Sequence, residues 1–283
     1  MKTAINIIGY NRIHYFNQVV ESLSRNIKLP TFVYLDNCGD NMVIQQHVDC
    51  VKKFLPHAQI IIRQKRYGCE ANIVDANNST MEKGFDQMFV FEDDTVVSST
   101  YVELCMNLAE WVKKQSLKIG MVQGWPGYLK DFKSPKPNEV VPTLAHAWGY
   151  LIFRQTWLDC KQIIDAYRNL FKFVMKSCEA QDVVSFLQSI DYNPIYVENI
   201  HHMMRGHSNA SQDGALATAL MHQGYHRVAL ALSRAEYIGV EGIHGNQENY
   251  ERWQFGKVQI YEDQEDRNIR DFSFIPESLK DIV

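Results

Sequence analysis

The chain is predicted to adopt an α/β fold with a mainly parallel sheet flanked by helices. Two observations point there: short β-rich runs alternate with helical periodicities, and several of those runs end abruptly in polar or charged residues. Ala4–Gly9, Thr31–Asp36, Gln59–Arg63, Met88–Phe91 and Ile119–Gln123 read as strands. Phe16, Val19, Val20 and Leu23 share one helical face after the first strand, and Ile44, Val48, Val51 and Leu55 share another after the second. That rhythm implies right-handed βαβ crossovers. Thr100 and Glu103 have the spacing of a capping box, ahead of a helix that buries Tyr101, Leu104, Leu108 and Trp111.

The second half is less regular. Pro126 to Pro142 reads as a Pro/Lys/Gly-bearing loop, and Trp148–Phe153 resumes strand character. Trp157, Cys160, Ile164, Tyr167 and Phe171 then fall at helical spacing, and a further helix is expected over Glu179 to Gln188. Residues 200–211 read as a loop that closes over a ligand. Ser211 is placed to cap a helix through Leu216 and Leu220 that stops at Gly224. The closing segment, Glu262 to Val283, is charged and then mixed, and reads either as a peripheral strap or as a frayed tail.

Composition narrows the function. With 283 residues and 46% hydrophobic content, one continuous domain is expected. A formal charge of −4 lacks the basic excess of a protein that grips nucleic acid nonspecifically, so no nucleic-acid partner is expected. Six cysteines without CxxC pairing read as reduced packing residues inside a cell. The Ala4–Ile8 run is too short for a signal peptide or a membrane span, and nothing else approaches eighteen apolar residues. A cytoplasmic protein is therefore expected.

In open α/β sheets, ligands bind beyond the carboxyl ends of the strands. Those ends here read Gly9-Tyr10-Asn11-Arg12, Asp36-Asn37 and Glu92-Asp93-Asp94. An apolar strand that breaks into three carboxylates is costly unless a cation or hydrogen-bond donors meet them. Mg²⁺ or Mn²⁺ suits such oxygen ligands, with Asp94 the foremost metal ligand. The competing reading is an acidic loop before a helix, but the capping box begins six residues after Asp94 and leaves the triplet unexplained.

Taken in order, these landmarks resemble the GT-A glycosyltransferases, and most specifically the Golgi β-1,2-N-acetylglucosaminyltransferases that act on mannose. Gly9–Arg12 is similar to the family's first nucleotide-contacting turn, Tyr34-Leu35-Asp36-Asn37 to the strand end that meets the nucleoside, and Val90–Asp94 to its metal motif. Ala147–Ile152 followed by Trp157 resembles the Gly-aromatic segment beneath the donor sugar. Leu232-Ser233-Arg234 through Gly239, Gly242, His244 and Gly245 resembles a C-terminal segment lining the donor site. Asp75 stands where the family pattern has a histidine after Gly68, and the Gly242–His244 interval is one residue shorter.

The resemblance implies a Rossmann-like GT-A catalytic domain over residues 1–250, with 1–124 the nucleotide-binding half, 125–250 the smaller acceptor-side half, and 251–283 a C-terminal extension. It also implies an inverting transfer from a UDP-sugar, foremost UDP-N-acetylglucosamine, to a glycan or lipid-linked acceptor. The Golgi relatives' membrane anchor and further C-terminal region have no counterpart in this sequence, which suggests a bacterial or cytoplasmic enzyme visiting the inner face of the membrane rather than spanning it.

Asp213, in the segment aligned with the family's base, is the candidate general base; an Asp in the first turn of a helix equally suits the helix dipole. Arg12 could pair with base or diphosphate. Asp36 could accept from base or ribose, or close an Asx-turn with Asn37-Cys38-Gly39. Arg66 and Gly68 form a further donor-side pair, or a turn with a solvated arginine. His244 would contact metal or phosphate, or serve only the fold. His201, His202 and His207 resemble metal spacing superficially. Trp125 and Trp148 would stack on sugar rings or fill the core, and Gly149 leaves room beside Trp148.

Two rivals remain. A sugar nucleotidyltransferase normally presents a glycine-rich, basic phosphate loop, which Gly9–Arg12 is not. A non-catalytic carbohydrate-binding protein would bind sugar without metal-dependent nucleotide binding.

Overall fold

The computed structural model describes residues 1–127, 134–143, 147–171, 212–242, 247–252 and 255–276. The helix expected over Glu179 to Gln188, the loop 200–211 with its three histidines, the Ser211 cap and His244 lie outside the described residues. The chain forms two compact units: Met1–Arg154 with His226–Val283, and Gln155–Tyr225.

Among the described residues, the first unit is organised by a nine-stranded sheet. Its strands are β1 (Thr3–Gly9), β2 (Thr31–Leu35), β3 (Gln59–Ile62), β4 (Gln87–Phe91), β6 (Ile119–Gln123), β7 (Glu139–Pro142), β8 (Tyr150–Phe153), β9 (His226–Leu230) and β11 (Ser273–Phe274), in the order β11-β7-β9-β6-β8-β4-β1-β2-β3. The pairs β1–β2, β1–β4, β2–β3, β6–β9 and β7–β11 are parallel, whereas β8 runs antiparallel to both β4 and β6, and β7 antiparallel to β9. The expected mainly parallel sheet is present. A separate antiparallel ribbon joins β5 (Thr95–Val97) to β10 (Ala235–Tyr237).

The helices follow from their buried stripes. α1 (Ile13–Ser24) buries Phe16, Val19, Val20 and Leu23, and α2 (Asn41–Phe54) buries Val48 and Val51 behind an Asp40 cap whose carboxylate accepts from the Met42 and Val43 amides. α3 (Cys69–Glu82) differs because its buried face is mixed: Asn72, Asn77 and Thr80 are fully buried beside Ile73, Val74, Ala76 and Met81. Asn6 of β1 answers two of them, donating to Asn77 at 3.1 Å and accepting from Thr80 at 2.8 Å, while Asn72 accepts from Arg63 at 2.8 Å and donates to the Tyr34 carbonyl at 3.3 Å.

Three expectations are corrected. The stretch Pro126–Pro142 is not all loop, since it ends in β7, an inner strand of the sheet. The strand expected from Trp148 begins only at Tyr150, because Gly149 takes φ +60°. The Thr100–Glu103 capping box does not form on α4 (Tyr101–Val112); Thr100 makes no side-chain cap and donates instead to the Asp263 carbonyl at 3.4 Å. The Val102 amide in the first turn donates to Asn26 Oδ1 at 2.9 Å, and just ahead of the helix the Glu262 carboxylate accepts from the Ser99 amide at 3.0 and 3.2 Å and from the Ser99 hydroxyl.

Glu262 belongs to a strap formed by the described part of the closing segment, residues 262–276. Tyr261 bonds through its amide to the Ser233 carbonyl at 2.8 Å, and β11 pairs with β7. Asp266 meets Arg234 at 2.6 Å, with the two side chains 2% and 0% exposed. Arg234 also lies over the Tyr261 ring, donates to the Leu232 carbonyl at 2.7 Å, and accepts through its own carbonyl from the Ser98 amide at 2.9 Å.

The second unit contains α5, which continues from Arg154 to Phe171, and α6 (Gln212–His222). α6 stops at Gly224 as expected: Gly224 takes φ +67°, and the Tyr225 amide returns to the Leu220 carbonyl at 2.8 Å. Tyr225 donates to Asp159 at 2.6 Å, tying the two helices together. No described helix is long and apolar enough to cross a membrane.

Candidate active site

β1 and β4 are parallel neighbours, and the chain leaving each supplies half of an ionic cluster. After β1, Gly9 lies so close to α1 and β2 that a Cβ would meet Phe16 at 2.9 Å and Leu35 at 3.0 Å. The chain then passes Tyr10 and exposed Asn11 and enters α1 at Arg12. After β4 come Glu92, Asp93 and Asp94. The Arg12 guanidinium bonds to both aspartates: Nη2 donates to Asp93 Oδ1 and to Asp94 Oδ2 at 2.7 Å, and Nε reaches Asp93 Oδ2 at 3.4 Å. Its other nitrogen, Nη1, donates to the Glu241 carbonyl at 2.9 Å.

Asp93 and Asp94 are buried, whereas the Arg12 side chain keeps 23% of its surface. The Asp94 carboxyl is pushed up to about 6, by burial first and then by the charge of Asp93, against the pull of Arg12. Glu92 accepts from the Cys69 thiol at 3.5 Å.

The β5–β10 ribbon closes one side of the cluster. Ile238 donates to the Asp94 carbonyl at 2.8 Å, and Tyr237 faces Arg12 and Asp94 with its hydroxyl. Burial, then the Asp94 charge, raises the Tyr237 pKa. The Tyr237 ring stacks on Trp148 at 4.3 Å and 11°. Trp148 packs further against Trp125 at 4.4 Å and Phe255 at 4.9 Å, so these tryptophans stand in an aromatic cluster behind the carboxylates. Sequence reasoning missed Tyr237, for a single tyrosine in a three-residue strand has no periodicity; its one signal was its place between Arg234 and Gly239.

Gly149 precedes β8, where its carbonyl accepts from the Tyr101 hydroxyl, and that hydroxyl in turn accepts from the Gly124 amide at 3.0 Å. A Cβ on Gly149 would meet Phe91 at 3.0 Å, so the room its side accommodates is filled by protein.

A second group lies beyond β2. Asp36 is buried and accepts three backbone amides: Asn37 at 2.9 Å, Tyr67 at 2.7 Å and Gly68 at 2.8 Å. It thus clamps the β3–α3 turn, in which Gly68 takes φ +83° as the cap of α3. The expected Asx-turn is made by the next residue, with Asn37 accepting from Gly39 at 2.8 Å. Arg66 lies over the Tyr10 ring at 5.1 Å, bringing this turn to the end of β1. Arg63 is held over Tyr34 and Tyr67 and pairs with Asp75 at 2.8 Å.

Asp213 lies in the second unit, in the first turn of α6, and accepts from Gln212.

Among the described residues, no three His, Cys, Asp or Glu side chains are arranged to hold a metal ion by themselves. The donor chemistry nevertheless fits a hard divalent cation, since Asp93 and Asp94 offer adjacent carboxylate oxygens. An ion held there would need ligands beyond the described protein atoms.

No protein-family model matches the chain, and no curated protein matches it. Among solved structures, GalNAc-T7 in complex with UDP, GalNAc and Mn²⁺ is similar with a TM-score of 0.52 at 10% identity, over 87% of this chain and 44% of that one. The mannosyltransferase PcManGT from Pyrobaculum calidifontis, in complex with GDP-Man and Mn²⁺, has a TM-score of 0.42 at 12% identity, over 78% and 73%. TarS 1–349 of S. aureus has a TM-score of 0.40 at 13% identity, over 58% of this chain and 50% of that one. The chain thus spans half of that TarS fragment and less than half of GalNAc-T7. The fold is of the GT-A glycosyltransferase type.

Proposed function

We propose that the protein is a metal-dependent, inverting glycosyltransferase that moves a sugar from a UDP-sugar, foremost UDP-N-acetylglucosamine, to a hydroxyl of a glycan or lipid-linked acceptor. The observation that carries this reading is the meeting of Arg12 with Asp93 and Asp94 beyond the carboxyl ends of two adjacent parallel strands. A buried pair of carboxylates beside a guanidinium offers both things a nucleotide diphosphate requires: oxygen ligands for Mn²⁺ or Mg²⁺ and a planar cation for phosphate.

In this reading Asp94 ligates the ion, with His244 a second candidate ligand. Gly9, Tyr10, Asn11, Arg12, Arg66 and Gly68 line the nucleotide, and Asp36 acts through the turn it clamps. Glu92 and Asp93 face the donor, with Trp148 and Gly149 beneath its sugar. When bound, the ion supplies neutralisation of charge on the departing diphosphate. Asp213 takes the proton of the acceptor hydroxyl as that oxygen attacks the anomeric carbon. Residues 1–124 serve as the nucleotide half and 125–250 as the acceptor half of one catalytic domain, with 251–283 a C-terminal extension, and the enzyme works in the cytoplasm and meets the membrane only peripherally.

A thermal-shift panel tests the reading. Nucleoside diphosphates and nucleotide sugars are added with and without Mn²⁺, and UDP-sugars with Mn²⁺ should raise the melting temperature most. A response confined to nucleoside triphosphates would favour a nucleotidyltransferase, and one to free sugars without metal a carbohydrate-binding protein. No shift with any nucleotide in the presence of Mn²⁺ sinks the reading.

A further inference from the structure

We propose that Arg12 is the resident counter-cation of Asp93 and Asp94 and must leave them before a divalent ion can bind, so that ion and nucleotide diphosphate bind as a coupled pair. This inference rests on the metal-dependent reading above but makes its own demand: the ion displaces a side chain.

The geometry sets up the conflict. Arg12 engages Asp93 Oδ1, Asp93 Oδ2 and Asp94 Oδ2, three of the four carboxylate oxygens of the two aspartates. A divalent ion on these residues needs lone pairs from the same set. Sharing is unfavourable, because guanidinium and ion would then stand side by side as like charges in a buried site, where repulsion is weakly screened. Neither carboxylate turns outward freely, since both are buried and the Gly239 backbone packs against Asp94 Oδ2.

The side chain that moves is therefore Arg12. Its backbone is fixed, because its carbonyl accepts from the Tyr15 and Phe16 amides at 3.1 and 3.0 Å at the start of α1. Its side chain is the exposed member of the trio, at 23% against 7% and 8%. Once displaced, a guanidinium that always stays charged needs another anion, and its planar fork matches phosphate oxygens. A nucleoside diphosphate provides that anion while giving the ion its missing ligands. Each ligand thus lowers the cost of the other, which is a coupling free energy between two sites.

The test measures Mn²⁺ binding to the full chain by electron paramagnetic resonance of free Mn²⁺, alone and with UDP or GDP. Wild type should bind Mn²⁺ weakly alone and about tenfold or more tightly with one of the diphosphates. Arg12→Gln should bind Mn²⁺ alone about tenfold more tightly than wild type, and the nucleotide enhancement should shrink. If Arg12→Gln melts without a cooperative transition, Arg12→Lys replaces it. One ammonium cannot span both carboxylates, so Arg12→Lys should also bind Mn²⁺ alone more tightly than wild type. Unchanged or weaker affinity of the folded variant for Mn²⁺ alone, with the enhancement intact in wild type, overturns the exchange and leaves the metal reading standing. Wild type that binds no Mn²⁺ with either diphosphate overturns both.

Discussion

Gly239 packs directly against Asp94: a Cβ at this glycine would lie 2.7 Å from Asp94 Oδ2 and 2.5 Å from the Tyr237 hydroxyl. Neither neighbour can retreat freely, for Asp94 is held by Arg12 and Tyr237 by its stack on Trp148. Gly239→Ala should therefore disturb the carboxylate cluster through crowding alone, at a cost of about 1–3 kcal/mol. The expected outcome is nucleotide-dependent Mn²⁺ affinity lowered about tenfold or more, corresponding to ~1.4 kcal/mol, with the circular dichroism spectrum retained. Wild-type affinity in the alanine variant would show that the cluster tolerates the intrusion.

The raised pKa of Asp94 makes the cluster sensitive to pH. Its folded value of about 6 exceeds the ordinary 3.8, so the folded, metal-free protein holds this proton more tightly than the unfolded chain does. The resulting stabilisation is fully present below about 3.8 and is lost as pH rises through about 6. Asp94→Asn, which does not titrate, should accordingly gain on wild type by about 1–3 kcal/mol in metal-free stability between pH 5 and pH 7.5. Protons and Mn²⁺ also compete for Asp94, so the thermal shift caused by Mn²⁺ with UDP should be larger at pH 7.5 than at pH 5. Equal shifts at both pH values would remove Asp94 from the metal's ligands.

What could be read in the sequence follows from how far apart its causes lie. β1, β2 and β4 were legible because strands buried on both faces become continuous apolar runs, as in Met88–Phe91. α1 and α2 were legible from apolar stripes. α3 was not, because its buried face mixes Ile73, Val74, Ala76 and Met81 with Asn72, Asn77 and Thr80, and the last two answer Asn6 on β1. The triplet was visible as a costly local string, but its partner Arg12 lies 81 and 82 residues away and was placed only as a nucleotide contact. The capping box at Thr100 and Glu103 failed for the same reason: the first-turn amide of Val102 is met by Asn26, 76 residues earlier, and Ser99 by Glu262, 163 residues further on.

That last difference can be measured. Because Glu262 accepts from the Ser99 amide and hydroxyl at the entrance of α4, Glu262→Ala should cost about 1–2 kcal/mol, in the range of a lost charged cap. Thr100 has no cap to lose, and Thr100→Ser, which keeps the hydroxyl, should change stability by less than about 0.5 kcal/mol. Urea melts of the two variants compare them directly, and the reverse ranking would restore the local capping box.

Asp213 separates chemistry from helix electrostatics. If it takes the acceptor's proton, Asp213→Asn should lower transfer by about 10²-fold or more while UDP-sugar affinity stays at the wild-type value. If it only complements the amide dipoles in the first turn of α6, turnover should persist and stability should fall by about 0.3–1 kcal/mol. Initial rates and a donor titration on the same preparation distinguish the two.

The strap supports the site through Arg234. Its buried pairing with Asp266 is joined by bonds to the Leu232 carbonyl and, through its own backbone, to Gly124 and Ser98, so the end of β6, the β5–β10 ribbon and the strap meet at one side chain. Removing one partner strands a buried charge, and Asp266→Ala should cost about 3–5 kcal/mol. Replacing both ions by apolar residues leaves no stranded charge, so Arg234→Met with Asp266→Leu should recover much of that loss. The β5–β10 ribbon carries Tyr237 and leads to Gly239, so the single variant should also weaken nucleotide-dependent Mn²⁺ binding at temperatures where it remains folded. A double variant no more stable than Asp266→Ala would mean that the hydrogen bonds of Arg234 to the backbone, rather than its charge, hold the strap in place.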